Sequence, residues 1–136
     1  MDIISDNTFY FDEKAADRVV YFIENHIRHL KGELGGTSFK LEPFQKKIVR
    51  DLFGWKYRTT ELRRFRTAYI CLPRKNGKST LISAIALYML LADGEPSAEC
   101  YVAAGDRQQA GIIFEVASGM VRADKQLVNN LQVFKN

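Results

Sequence analysis

The sequence predicts an α/β domain built on a parallel sheet, and three observations lead there. Residues 68–91, AYICLPRKNGKSTLISAIALYMLL, read as a strand, a tight loop and a helix. A second β-rich run, ECYVAA at 99–104, leads into another helical stretch, and LQVF at 131–134 offers a third strand. Apolar strands alternating with helices imply crossover connections and parallel pairing. At 136 residues the chain supports one domain with a real core. Its 46% apolar and 26% charged residues match soluble chains rather than disordered or membrane classes.

The elements follow in order. The opening MDIISDNTFYFDEK lacks the basic region and apolar core of a signal peptide, so the chain is expected to stay in the cytoplasm. Residues 13–32 place Ala16, Val19, Val20, Ile23, Ile27 and Leu30 at spacings of three and four, an amphipathic helix closed near Gly32. This helical segment, 1–40, precedes the domain proper, 41–136. Gly35-Gly36 breaks the chain, and Pro43 suits the first turn of a second helix, 43–54.

WKYRTTELRRFRT, residues 55–67, holds five Lys or Arg and one Glu around a Thr-Thr-Glu turn and reads as a short hairpin or bent connection. Its charges suit a solvated edge that resists pairing with another sheet. Contact with a DNA backbone is the alternative. The net charge of +4 permits such a polyanionic partner without requiring one.

A strand at 67–72 and a helix at 79–92 come next, with Gly94 as a helix stop and Pro96 just beyond. The run Leu81 to Ala92 is 12 residues, against about 20 for a membrane span, and so reads as a buried helix. After the 99–104 strand, a helix is expected from 106 to about 121, with Asp106 as its N-cap. Cys71 and Cys100 are expected in neighbouring buried strands as core residues of a reducing compartment. His26 and His29, three apart on the first helix, have no third ligand in sight and read as polar-face residues rather than a metal site.

The loop carries the chemistry. Asn76, Gly77, Lys78, Ser79 and Thr80 stand between a strand and a helix in the order of a phosphate-binding, Walker A loop. In such a loop backbone N–H groups curl around the phosphates, and the positive end of the helix dipole assists. Gly77 frees the backbone at closest approach, Lys78 reaches the β- and γ-phosphates, and the Ser79 hydroxyl ligates Mg²⁺. Leu72 stands where the usual pattern has its first glycine, and Pro73 supplies a turn by fixing φ. Arg74 and Lys75 add two cations inside the loop, either of which can approach a γ-phosphate as charge redistributes in the transition state.

LPRKNGKST, preceded by LRRFRTAYI and followed by LISAIALYMLLADGEPSAECYVAAGDRQQAGIIFEVA, resembles the ATPase domain of tailed-phage terminase large subunits, from about Leu41 onward. The resemblance implies a P-loop NTPase fold with a RecA-like sheet, ATP and Mg²⁺ as cofactors, and viral double-stranded DNA as the translocated partner. It implies a small terminase subunit, a portal protein and a ring of copies as further partners, in the cytoplasm of a bacterial host. Family members commonly lack the first loop glycine and carry a loop arginine. By resemblance Arg74 therefore assists phosphoryl transfer, and Lys78 and Ser79 serve phosphate and Mg²⁺.

LEPFQ is similar to the upstream adenine-recognition element, with Gln45 reading the base edge. From its neighbours alone, Gln45 reads as an exposed first-turn helix residue. AAGDRQQA is similar to the segment that couples nucleotide state to movement, an alternative role for Arg107 or Gln108 beside the cap at Asp106.

No four-apolar-then-Asp-Glu run occurs in the sequence, so the Walker B half and the nuclease domain of a full terminase are not among these residues. The chain is expected to be the front part of a longer protein that binds nucleotide weakly and hydrolyses little alone. The rival readings are a helicase-like translocase fragment and a non-catalytic, prophage-derived binding module that docks through residues 13–32.

Overall fold

Asp12 and Pro43 start the first two helices. In the computed structural model, which describes residues 7–134, strand β1 (Phe9–Phe11) runs into helix α1 (Glu13–His26) through Asp12. The Asp12 carboxylate accepts the Ala15 N–H at 3.0 Å, satisfying a donor that the first turn would leave orphaned. Helix α2 (Pro43–Gly54) opens on a capping box: the Glu42 N–H donates to Gln45 Oε1 at 2.9 Å, and Pro43 fills a position that needs no N–H. Strand β2 (Trp55–Tyr57) follows at once. Helices α3 (Lys78–Leu91), α4 (Arg107–Ala123) and α5 (Lys125–Asn130) complete the order.

The chain divides into two compact units, one made of the chain up to Tyr21 with Leu41–Cys71, the other of Phe22–Lys40 with the chain from Leu72 onward. In the first unit β1 and β2 pair antiparallel, with Phe9 opposite Tyr57, Tyr10 opposite Lys56 and Phe11 opposite Trp55. Ala16, Val19, Leu41, Val49 and Phe53 are its buried apolar side chains. Lys56 Nζ donates to Asp12 Oδ2 at 2.7 Å, and this bond, then the Ala15 N–H, holds the Asp12 carboxyl below its usual range. Arg50 bridges Glu13 and Asp17 of α1.

In the second unit α3 packs on α4. Leu81, Ala84, Leu87 and Tyr88 are buried with Met120 and Val121, and buried Ser83 donates to the Ile113 carbonyl at 3.3 Å. Tyr88 meets Phe22 edge to face at 5.5 Å between centroids. Asp106 caps α4 by accepting the Gln109 N–H at 2.8 Å, and Asp124 caps α5 by accepting the N–H groups of Gln126 and Leu127.

The structure corrects the sequence reading in three places. The first helix ends at His26, not near Gly32. Beyond it Phe39 N–H donates to Ile27 O at 2.8 Å and His29 N–H to Thr37 O at 2.9 Å. The chain can double back there because Gly32 (φ 78°) and Gly36 (φ 81°) adopt left-handed conformations. His29 therefore lies off the helix, edge-on to Phe39, while His26 is half-buried at 3.7 Å from Asp124.

Second, the runs at 67–72, 99–104 and 131–134 carry no strand pairing, and the sheet among the described residues is the β1–β2 pair. A strand exists only through bonds to a neighbour, and side chains with no layer packed over them stay in solvent. Tyr69 and Tyr101 are 93% and 86% exposed. Third, for the same reason, Cys71 and Cys100 are exposed rather than core residues.

Candidate phosphate-binding loop

Leu72 to Gly77 form a loop whose shape is held by its own backbone carbonyls. The Asn76 amide donates to Pro73 O at 3.2 Å and to Arg74 O at 3.4 Å. Lys75 and Gly77 take left-handed conformations, φ 67° and 68°. Glycine does so at no steric cost, whereas lysine in that region is held against its preference. Gly77 is the N-cap of α3, and its carbonyl accepts the Leu81 N–H at 2.9 Å.

A glycine cap offers no side chain to the first helical N–H groups. Those donors and the positive end of a 14-residue helix face the loop, where an oxyanion would satisfy both. Lys78 Nζ donates across the loop to Leu72 O at 3.0 Å. The departure from the glycine pattern is thus structurally inexpensive, since Leu72 contributes a carbonyl that any residue supplies. The loop carbonyls of Leu72, Pro73 and Arg74 were not singled out in the sequence. Their signal was the six-residue span that lets Lys78 reach back.

Arg74, Lys75, Asn76, Lys78 and Ser79 are exposed, and Gly77 and Thr80 half-buried. Three cations within five residues, beside uncapped helix donors, fit a polyphosphate. The hydroxyl of Ser79, in the first turn of α3, is the side-chain oxygen that would meet Mg²⁺ here. Among the described residues no group of three or more His, Cys, Asp or Glu side chains is placed to hold a metal. Such an ion would depend on Ser79 and on the phosphates themselves.

The structure places Arg74 to Gly77 in the loop and Lys78 to Thr80 in the first turn of α3, all in the second unit, whereas Gln45 belongs to the first. Gln45 is only 3% exposed, so it is not the exposed first-turn residue its neighbours suggest. Its carbonyl oxygen is engaged by the Glu42 N–H.

The sequence profile of the family described as terminase large subunit, ATPase domain, matches residues 43–136. The chain belongs to this family. The terminase large subunit of Enterobacteria phage HK97 is 31% identical over 112 residues, which cover 82% of this chain and 21% of that protein. The crystal structure of the HK97 bacteriophage large terminase superposes with a TM-score of 0.67 at 28% identity, covering 89% of this chain and 23% of that one. The chain therefore spans about a fifth of the length of these terminases. The terminase ATPase match includes both α2 with Gln45 and the whole candidate loop, Leu72 to Gly77. It begins two residues after Leu41, where the sequence resemblance starts.

Proposed function

We propose that the chain is the ATP-binding front portion of a phage terminase large subunit, whose complete form hydrolyses ATP to package viral double-stranded DNA and cleaves it. The observation that carries this reading is the loop, with Lys78 held over an uncapped helix start by the Leu72 carbonyl. The RecA-like parallel sheet belongs to the same reading, with 67–72 and 99–104 as its first strands once they have partners. So do the small terminase subunit, the portal and a ring of copies as partners, and the cytoplasm of a bacterial host as the setting. No helix of the described residues is long and apolar enough to cross a membrane.

Each residue then has a task. Lys78 leaves the Leu72 carbonyl for the β- and γ-phosphate oxygens, and the N–H groups from Gly77 to Thr80 line the cradle. Arg74 stabilises charge that develops on the transferred phosphoryl group, with Lys75 adding a second cation. Asn76 keeps the loop open by holding its carbonyls. Ser79 would hold Mg²⁺ through its hydroxyl, and the ion would supply positive charge against the phosphates. Gln45 is the residue that would read the adenine edge, for which its amide would have to turn from the capping bond to Glu42.

Competition against a fluorescent ATP analogue in the presence of Mg²⁺ tests the reading. ATP, ADP and AMP are expected to displace it in that order, with AMP at least about tenfold weaker than ATP because it lacks the phosphates that Lys78 serves. Equal potency of AMP and ATP would contradict a phosphate cradle.

A further inference from the structure

The chain's net charge is concentrated in one place. Residues 55–66 contain Lys56, Arg58, Arg63, Arg64 and Arg66 against Glu61 alone. Of the twenty basic and sixteen acidic residues, fifteen of each remain elsewhere, so this short stretch accounts for the whole formal excess of +4.

The arginines here are also ordered. Arg64 lies over Phe9 at 4.0 Å from the ring centroid, with Phe65 at 5.1 Å and Trp55 at 6.0 Å. Arg58 lies over Tyr10 at 5.7 Å, its Nε donates to the Asn7 carbonyl at 3.0 Å and its Nη2 to the Phe9 carbonyl at 3.4 Å. Arg63 lies over Phe53 at 5.2 Å, and Lys56 bridges to Arg63 across the hairpin. Lys56 is paired with Asp12. Among the described residues, no carboxylate pairs with Arg58, Arg64 or Arg66, and all three are exposed.

Stacking on an aromatic face fixes a guanidinium plane, and at Arg64, for which no side-chain hydrogen bond occurs among the described residues, the N–H edge stays open to an anion. Edge protection needs only loose lysines. We infer that this face, built from β1, β2 and the chain to Arg66, is a contact surface for the phosphate backbone of duplex DNA. Several fixed cations suit a polymer with closely spaced charges better than a single small anion. The choice of duplex DNA as the polyanion rests on the packaging reading above. The surface itself is independent of the phosphate loop, so loss of nucleotide binding would leave it standing.

The test is fluorescence anisotropy of a labelled 30-base-pair duplex of arbitrary sequence with the full chain, read at 50 and 200 mM salt. About three phosphate contacts predict an affinity loss of about fortyfold between the two conditions, similar for unrelated sequences. Arg64→Gln with Arg66→Gln should weaken binding at 50 mM and shrink the salt effect to about fourfold, whereas the Lys pair at the same positions should restore it. Lys31→Gln with Lys125→Gln, an equal charge change elsewhere, should match the parent. If the paired glutamine variant is unfolded by circular dichroism, Arg66→Gln alone should still lower the salt slope by about one. Unchanged binding in the variants, equal loss in the Lys31/Lys125 control, or preference for anionic lipid vesicles over duplex would overturn the inference.

Discussion

Lys75 holds a left-handed backbone conformation that costs a non-glycine residue about 1 kcal/mol. Lys75→Gly should relieve it without weakening the protein, and the informative readout is nucleotide affinity. If the Lys75 charge faces phosphate, affinity falls despite the relaxed backbone; if only shape matters, affinity holds or rises. Asn76→Ala removes two bonds to loop carbonyls. At about 1 kcal/mol each it should weaken nucleotide binding by at least about fivefold in the same titration. Leu72→Gly, by contrast, should leave affinity within about threefold, since the acceptor for Lys78 is main chain.

The turn into α3 at Asn76–Gly77 was legible in the sequence because a loop running into a helix start is a local object. The Asp106 cap was legible for the same reason. The burial of Gln45 was not, since it depends on how α2 packs, and a glutamine three residues after Glu42 is equally at home in solvent. Asp12 carries a pH prediction at this scale. Its carboxyl is held below the ordinary value, so its contribution is present above about pH 4, the unfolded range, and is lost as pH falls through the lower folded value. Asp12→Asn should flatten the acid limb of a pH-stability profile measured by urea denaturation. Asp12→Ala should cost about 1 kcal/mol at pH 7 through the lost cap.

Elements with local contacts were readable, and those with distant partners were not. Helix α2 has the expected bounds, Pro43–Gly54, with Pro43 in its first turn. Helices α3 and α4 fall within two residues of expectation, as their i to i+4 bonds and caps lie in the same stretch of sequence. The apolar periodicity of α1 overran its end because Ile27 is as fully buried where its carbonyl accepts the Phe39 N–H as it would be in another helical turn. The β-rich runs at 67–72 and 99–104 have strand composition without a bonded neighbour among the described residues, and composition cannot supply one. Gly54 gives the sharpest test at this scale. A Cβ there would meet the Phe11 ring at 2.5 Å, where α2 hands over to β2. Gly54→Ala should destabilise by about 1–3 kcal/mol with an unchanged urea m-value.

At the scale of the molecule, family membership and the loop carry the account, and the two units carry different parts of it. The loop lies with α3 and α4, while the basic aromatic face and Gln45 lie with α2 and the β1–β2 pair. A ligand bound only by the folded chain adds stability by mass action, about 2.7 kcal/mol at a hundredfold excess over its Kd. ATP with Mg²⁺ should therefore raise the melting temperature in a dose-dependent manner, and Lys78→Ala should abolish that rise while melting near the parent temperature without ligand.

The most direct measurement is equilibrium titration of the chain and of Lys78→Ala with a fluorescent ATP analogue and Mg²⁺, both checked for folding by circular dichroism. The account predicts saturable binding by the parent and its loss in the variant, since the ammonium that bonds Leu72 O is the group that must turn to the phosphates. Equal binding by both folded proteins, or none by either, would contradict a working cradle in these residues.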